Sequence, residues 1–371
     1  MNLIIVGDIM PGGVLPYQDE YISNDLLNYI SSFDCRIGTL ECALGDDLPF
    51  DKTKMEGRKN IIYSPTKEIN RLKSLGFNVV SLANNHVYDL GEAGLKLTIK
   101  LLDDAGIKHC GAGTNLEEAS KPAVVSIDNK SLAILSYCQY DSVYLGYVEK
   151  ATPIHAGVNP LDIDRCIEEI RKAKSIYDYV IVIPHWGIEY QYFPTPQCVD
   201  YAKRMIDAGA DGVFASHPHQ IQPMIKYKDK PIAFSMGNFM FPDYYMTPPR
   251  PIWYPEDIKA LQNLPRYNYY PKHIDTPCLQ VWNHISRIGM IIDCEINSDT
   301  IKAVYKLIYS TKDNIVEFYS NPLPVSFRLK WMSAAVGSNH FKSIYLSYQS
   351  RYNLIRRGYH FLNRYIKYGK S

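Results

Sequence analysis

Five short apolar runs in this chain stop at residues able to bind a metal ion, and that recurrence narrows the fold more than any other feature. The stops are Gly7-Asp8-Ile9-Met10, Thr39-Leu40-Glu41-Cys42, Asn84-Asn85-His86, Pro184-His185-Trp186-Gly187 and Ser216-His217-Pro218-His219. The run before Asn84, Val79-Val80-Ser81-Leu82-Ala83, is brief, β-branched and ends at polar turn residues, as a buried strand does. A helical pattern follows from Gly91 to Gly106, with Leu95, Ile99 and Leu102 on one face. In α/β sheets, ligands bind at the C-terminal ends of the strands. Parallel strands align those ends along one rim, so the five sets of side chains converge. One His-x-His, or one Asp after a strand, says little. Carboxylate, amide and several imidazoles, all at strand ends, say much more.

The rest of the chain keeps the alternation. Leu3–Val6, Arg36–Leu40, Tyr179–Ile183, Val213–Ala215 and Ile232–Ser235 read as strands. Asp25–Phe33, Thr66–Leu75, Asp162–Ile176 and Gln197–Ala208 read as helices. Ala123–Ile127 and Leu132–Ser136 flank Asp128-Asn129-Lys130, a hairpin signal. Ile288–Ile296 reads as a strand in an antiparallel setting. The pattern predicts a mixed α/β layer architecture rather than one doubly wound sheet.

Carboxylate, amide and imidazole without thiol suit a hydrolytic metal centre of the Zn, Mn or Fe type. Two such ions would activate water and clamp an ester oxygen together. Each residue also has a plainer role open to it. Asp8 could cap a turn, Glu41 could lie on the surface, and His185 could be a hydrogen-bonded core imidazole. Asn85 and its neighbour Asn84 could serve a polar turn. Asn238 could end a strand or bind substrate. Glu189 could hold the second nitrogen of a ligand histidine. Cys42 reads as a buried thiol. His109, His155, His273, His284, His340 and His360 lack such company and read as structural.

Two regions break the rhythm. From Asp243 to Ile285 the chain is rich in Pro and aromatics and reads as a long surface insertion. Within it, Arg250, Arg266, Lys272 and His273 could hold an anionic or sugar substrate over the metal rim. After Glu317 no Asp or Glu occurs, while Tyr345, Tyr348, Tyr352, Ile355, Tyr359 and Leu362 form one helical stripe. The stripe reads as packing on the domain. Its alternative is a basic aromatic face for an anionic polymer, a membrane surface or synthesis machinery.

A net charge of +1 on 371 residues gives no general affinity for nucleic acid or membrane. The eight cysteines are scattered with no Cys-x-x-Cys, which suits free thiols in a reducing compartment. The N-terminus is already a strand, without a basic lead or an apolar run of signal-peptide length, so a cytoplasmic location is expected.

In order along the chain, Gly7-Asp8-Ile9-Met10, Leu40-Glu41, Asn84-Asn85-His86-Val87-Tyr88-Asp89, His185-Trp186-Gly187-Ile188-Glu189-Tyr190, Gly209-Ala210-Asp211, His217-Pro218-His219-Gln220 and Ser235-Met236-Gly237-Asn238-Phe239 resemble the CapA (PgsA) family. Its members are associated with bacterial capsule and poly-γ-glutamate synthesis, and it is similar to the calcineurin-like metallophosphoesterases. The resemblance covers residues 1–296, interrupted by the 243–285 insertion, and leaves 297–371 as a basic, Tyr-rich C-terminal helical extension. It implies an α/β fold, a four-layer αββα metallophosphoesterase-like sandwich, with one or two divalent metal ions at the strand ends. It implies Asp8, Glu41, Asn85, His185, His217 and His219 as ligands, Asp8 being part of the catalytic centre, and His86 as the histidine that assists the leaving group. Asn238, Glu189, Arg250 and Arg266 are then the substrate-side candidates. Three departures stand out: Met10 replaces the histidine of the usual Asp-x-His, Glu41 replaces a bridging Asp, and no membrane anchor is seen. The activity implied is phosphoester hydrolysis linked to surface polysaccharide or poly-γ-glutamate. The alternatives are amide hydrolysis or transfer on a polyglutamate-like polymer, and a non-catalytic accessory role.

Overall fold

In the opening strand Asn2–Ile9 alternate residues face opposite apolar layers, and that sets the architecture. Leu3 and Ile5 join one core cluster, Ile4 and Val6 another. Tyr179–His185 does the same, with Ile181 and Ile183 on one side and Val180 and Val182 on the other. Strands apolar on both faces must be covered on both. The computed structural model, which describes residues 1–47, 60–140, 148–248, 250–257, 263–268, 275–296 and 301–352, meets that need with two stacked sheets.

The first sheet has eight strands. Its parallel part runs Asn2–Ile9, Cys35–Leu40, Val79–Ser81, Lys108–Cys110. On the other side of Asn2–Ile9, Ile288–Ile296 pairs antiparallel, followed by Ile301–Ser310 and Val316–Phe318. Asn238–Met240 runs parallel to the end of the opening strand and sets Asn238 beside Asp8. The second sheet has six strands, in the order Met224–Tyr227, Lys230–Ala233, Gly212–Phe214, Tyr179–His185, Lys130–Cys138, Ala123–Ile127. Its central four are parallel.

One apolar cluster fills the space between the sheets, including Leu3, Ile37, Ile134, Ile181 and Phe214. A second lies outside the first sheet, under the helices that carry Leu26, Leu72, Leu95 and Leu102. A third lies outside the second sheet, where Cys166 and Ile170 of Ile163–Lys174 meet Ala202 and Met205 of Pro196–Asp207. The result is the four-layer αββα sandwich. The outer helices start where the sequence says they should: the Asp162 carboxylate accepts from Asp164 N and Arg165 N, and Thr195 Oγ1 accepts from Cys198 N. The hairpin at Asp128-Asn129 turns through two left-handed residues, φ 52° and 60°.

Two expectations are corrected. The boundary at 296 falls between Ile288–Ile296 and Ile301–Ser310, which pair antiparallel along their full length. The helices outside the sandwich therefore begin at Pro322, after the last strand of the first sheet. The 243–285 segment is no simple surface loop: Tyr244, Met246, Cys278 and Trp282 enter the core, and Tyr244–Met246, Arg266–Tyr267 and Cys278–Gln280 form a small sheet. A buried ion pair from Arg287 to both carboxylate oxygens of Asp243, 2.6 and 2.7 Å, ties its ends together. The Tyr stripe packs on the domain through Tyr345 and Tyr348, as expected; its continuation from Ile355 lies outside the described residues.

Candidate metal centre

All six expected ligands sit at C-terminal strand ends on the same rim. Asp8 is at the end of Asn2–Ile9, Glu41 follows Cys35–Leu40, and Asn85 follows Val79–Ser81. His185 ends Tyr179–His185, and His217 and His219 follow Gly212–Phe214. The first sheet thus presents oxygen donors and the second imidazoles. Asp8, Glu41, His185, His217 and His219 are all at most 1% exposed.

Their atoms fall into two groups that share Glu41. Glu41, His185 and His217 form one; Asp8, Glu41 and His219 form the other. In the first, His185 Nε2 is 2.8 Å from Asn85 Oδ1, 3.4 Å from Glu41 Oε1 and 3.2 Å from His217 Nδ1. In the second, His219 Nε2 is 3.6 Å from Glu41 Oε1 and His219 Nδ1 is 3.8 Å from Asp8 Oδ2. The longer Glu side chain therefore reaches the middle position expected of a bridging carboxylate.

Electrostatics point the same way. Desolvation pushes the Asp8 carboxyl up to about 7, against opposing hydrogen bonds from Ser216 and His217 N. Desolvation, then the neighbouring Asp8 and Glu189 charges, push Glu41 well above the carboxylate range. Desolvation holds His185 and His217 well below the usual imidazole range and takes His219 down to about 4. The imidazoles are therefore neutral, as ligands must be. Asp8 Oδ1, both Glu41 carboxylate oxygens and His217 Nε2 are buried with no hydrogen-bond partner among the described residues. Buried polar atoms are rarely left so. Two carboxylates, an amide and three neutral imidazoles crowded together lack a positive charge, and a divalent cation would supply it. The residues fit the group.

Met10 is fully buried in the apolar cluster outside the first sheet, so the Asp8 group has three protein donors.

Surrounding residues fix the ligands. His185 Nδ1 is 3.1 Å from Ser216 Oγ, and His219 Nδ1 is 2.9 Å from Asn238 Oδ1. The Asn238 amide donates to Ser286 O at 3.1 Å. Asn238 thus holds the ring of His219, a candidate ligand. Ser216 and Asn238 occupy the places suggested for Glu189, whose half-buried carboxyl is raised to about 8 by desolvation. His217 and His219 hold φ at 101° and 51°, and Tyr190 at 62°, a region costly for side-chain-bearing residues and typical of strained functional loops.

His86 lies beside this cluster. Its Nδ1 is 2.7 Å from Asp89 Oδ2, which also accepts from Ile62 N at 2.7 Å. Asn84 Oδ1 accepts from His86 N and Val87 N at 3.0 and 2.9 Å, while its amide donates to Leu40 O at 2.7 Å. That turn aims neighbouring residues in different directions, Asn85 at His185 and His86 at Asp89. The Trp282 ring lies 5.1 Å from His219 and 5.2 Å from Phe241, with Tyr190 6.5 Å away.

From sequence, Asp89 belongs to the Asn84–Asp89 motif without a role of its own, and Ser216 and Trp282 are given none. Asp89 and Ser216 are signalled by adjacency to the ligand motifs. Nothing local marks Trp282. Arg250 is buried, on a segment bridged to Ile61, one residue from the Ile62 that holds Asp89. Arg266 is exposed on the small sheet, and Lys272 and His273 lie outside the described residues.

The family described as "Bacterial capsule synthesis protein PGA_cap" matches residues 2–243. The capsule biosynthesis protein CapA of Bacillus anthracis is 33% identical over 252 residues, covering 65% of this chain and 60% of that protein. The PGA biosynthesis protein CapA of Bacillus subtilis (strain 168) is 31% identical over 248 residues, covering 65% and 63%. The matches thus span less than two thirds of those relatives. Among solved structures, a 5'-nucleotidase precursor from Thermus thermophilus aligns with 91% of this chain and 58% of its own, at 12% identity and a TM-score of 0.42. Among the described residues, no helix is long and apolar enough to cross a membrane.

Proposed function

Because the chain belongs to the PGA_cap family of bacterial capsule synthesis proteins, we propose that the rim cluster is a divalent-metal hydrolytic centre acting on a phosphoester of surface polysaccharide or poly-γ-glutamate synthesis. The observation that carries this is the pair of buried donor groups sharing Glu41, with unpartnered oxygens on both acids. Mn, Zn or Fe suits the oxygen and nitrogen donors. When bound, such ions supply Lewis-acid stabilisation of an ester oxygen and an activated water.

The chain's own residues do the rest. Asp8, Glu41, Asn85, His185, His217 and His219 hold the charge in place, and Ser216 and Asn238 fix two of the rings. The Asp89 carboxylate accepts the His86 Nδ1 proton and favours the protonated ring, so that the ring can give a proton to a departing oxygen. Arg250 and Arg266 belong to the segment whose Trp282 meets His219, and as cations they would suit an anionic or sugar-phosphate substrate. The test is metal analysis of the purified chain with turnover of a generic phosphodiester. Near-stoichiometric metal with turnover is expected. Protein that stays folded and metal-free under added Mn, Zn or Fe would make the cluster an accessory binding site. Bound metal that cleaves a polyglutamate amide and no phosphoester would reassign the reaction.

A further inference from the structure

The helix Pro322–Gly337 is apolar on both sides. Val325, Leu329, Met332 and Val336 are buried and hold it to the second sheet and its neighbours. Leu323, Phe327 and Trp331 recur every fourth residue on the opposite side and are 73%, 78% and 63% exposed. On the next helical segment, 341–352, Leu346 is 59% exposed. Single exposed apolar residues need no explanation, but three large ones in a row on one helix face do.

The charge carried by this stretch of chain is of one sign. Arg328, Lys330, Lys342 and Arg351 are the only charged residues from 318 to 352, and none is acidic. Lys330 flanks the stripe, Lys342 lies one turn from Leu346, and both are exposed. The Arg328 guanidinium stacks 4.7 Å over Tyr192. A two-fold contact with a second copy would set these cations against themselves. Large apolar side chains, a tryptophan and uniformly positive neighbours match an anionic lipid surface, where the rings enter the headgroup boundary and the cations meet lipid charge.

We propose that the Leu323, Phe327 and Trp331 face, with Lys330 and Lys342, docks this protein peripherally on an anionic bilayer. The docking is independent of the metal centre's chemistry.

The test uses the full chain with vesicles of phosphatidylcholine alone and vesicles in which about a third of the lipid is phosphatidylglycerol. Co-sedimentation with the anionic vesicles only is expected, weakening as salt shortens the screening length towards about 8 Å. The Phe327→Ser/Trp331→Ser variant should lose affinity at least about tenfold while still unfolding cooperatively, since Phe327 is already in water and Trp331 gives up only its edge contact with Phe193. Lys330→Glu/Lys342→Glu, which leaves the apolar face intact, should lose binding comparably. Trp331→Phe should bind but lose the blue shift in tryptophan emission. Failure of the native chain to bind anionic vesicles overturns the proposal. So does equal binding to both vesicle types. A dimer seen without lipid, and abolished by Phe327→Ser/Trp331→Ser, would assign the face to a second copy and overturn it as well.

Discussion

Asp89→Asn isolates the part of the site that is chemistry rather than metal binding. Asp89 belongs to neither donor group, and its Oδ2 lies 2.7 Å from His86 Nδ1 in a buried setting. The substitution is nearly isosteric and leaves an oxygen to accept from Ile62 N. It removes the negative charge that favours a protonated His86. A hydrogen bond to a charged partner is worth about 1.5–3 kcal/mol. At 1.4 kcal/mol per factor of ten, kcat should fall about 10- to 150-fold. Removing the ring itself, as in His86→Asn, should cost about 10²–10⁴. Both losses should shrink on nitrophenyl esters, whose leaving group needs no proton. The assay is steady-state kinetics on a poor and a good leaving group, with metal content measured on each preparation. Equal losses on both esters, or metal lost along with activity, would refute the assignment of His86 as proton donor and make the pair a structural support of the metal site.

His217→Ala should lose metal and activity together, checked by metal analysis and turnover of the same preparation. Ser216→Ala removes the hydroxyl beside His185 Nδ1 and should weaken metal affinity about 10- to 100-fold in a competitive chelator titration. For metal-free protein, the lowered imidazoles make stability rise with pH up to 6.5, while the raised carboxyls make it fall from the normal carboxylate range upward. Above 6.5 only the carboxyls act, Asp8 to about 7 and Glu189 to about 8, so the melting temperature in chelator should drop as pH rises through that window. Arg287→Met leaves the Asp243 carboxylate buried without its cation and should cost about 3–5 kcal/mol in denaturant unfolding.

The rim was legible because parallel strands turn a one-dimensional pattern into a spatial one. Asp8, Glu41, Asn85, His185 and His217 are scattered over more than two hundred residues, yet each follows a run of the same kind. What sequence did not show depends on contacts between distant segments. Trp282 reaches His219 only because Asp243 and Arg287 close the intervening segment. Asn238 reads equally as a turn or a substrate ligand until the pairing with Asp8 brings it to His219. Ile301–Ser310 alternates Lys302, Val304 and Lys306 outward, and its membership of the first sheet is fixed by pairing to Ile288–Ile296. The metal arrangement follows from strand order; the surroundings follow from packing.

The split of donors between the sheets bears on how the protein matures. One sheet carries the acids and the amide, the other the imidazoles, and neither alone can complete either donor group. An ion therefore cannot template the folding of one half. It would find its full set of ligands only after the two sheets have docked, and from then on its binding free energy would oppose their separation. On the proposed function, metal entry would be the closing event of assembly, a lock set across the sandwich at its open edge, and withdrawal of the ion should loosen the contact between the sheets before it melts either one.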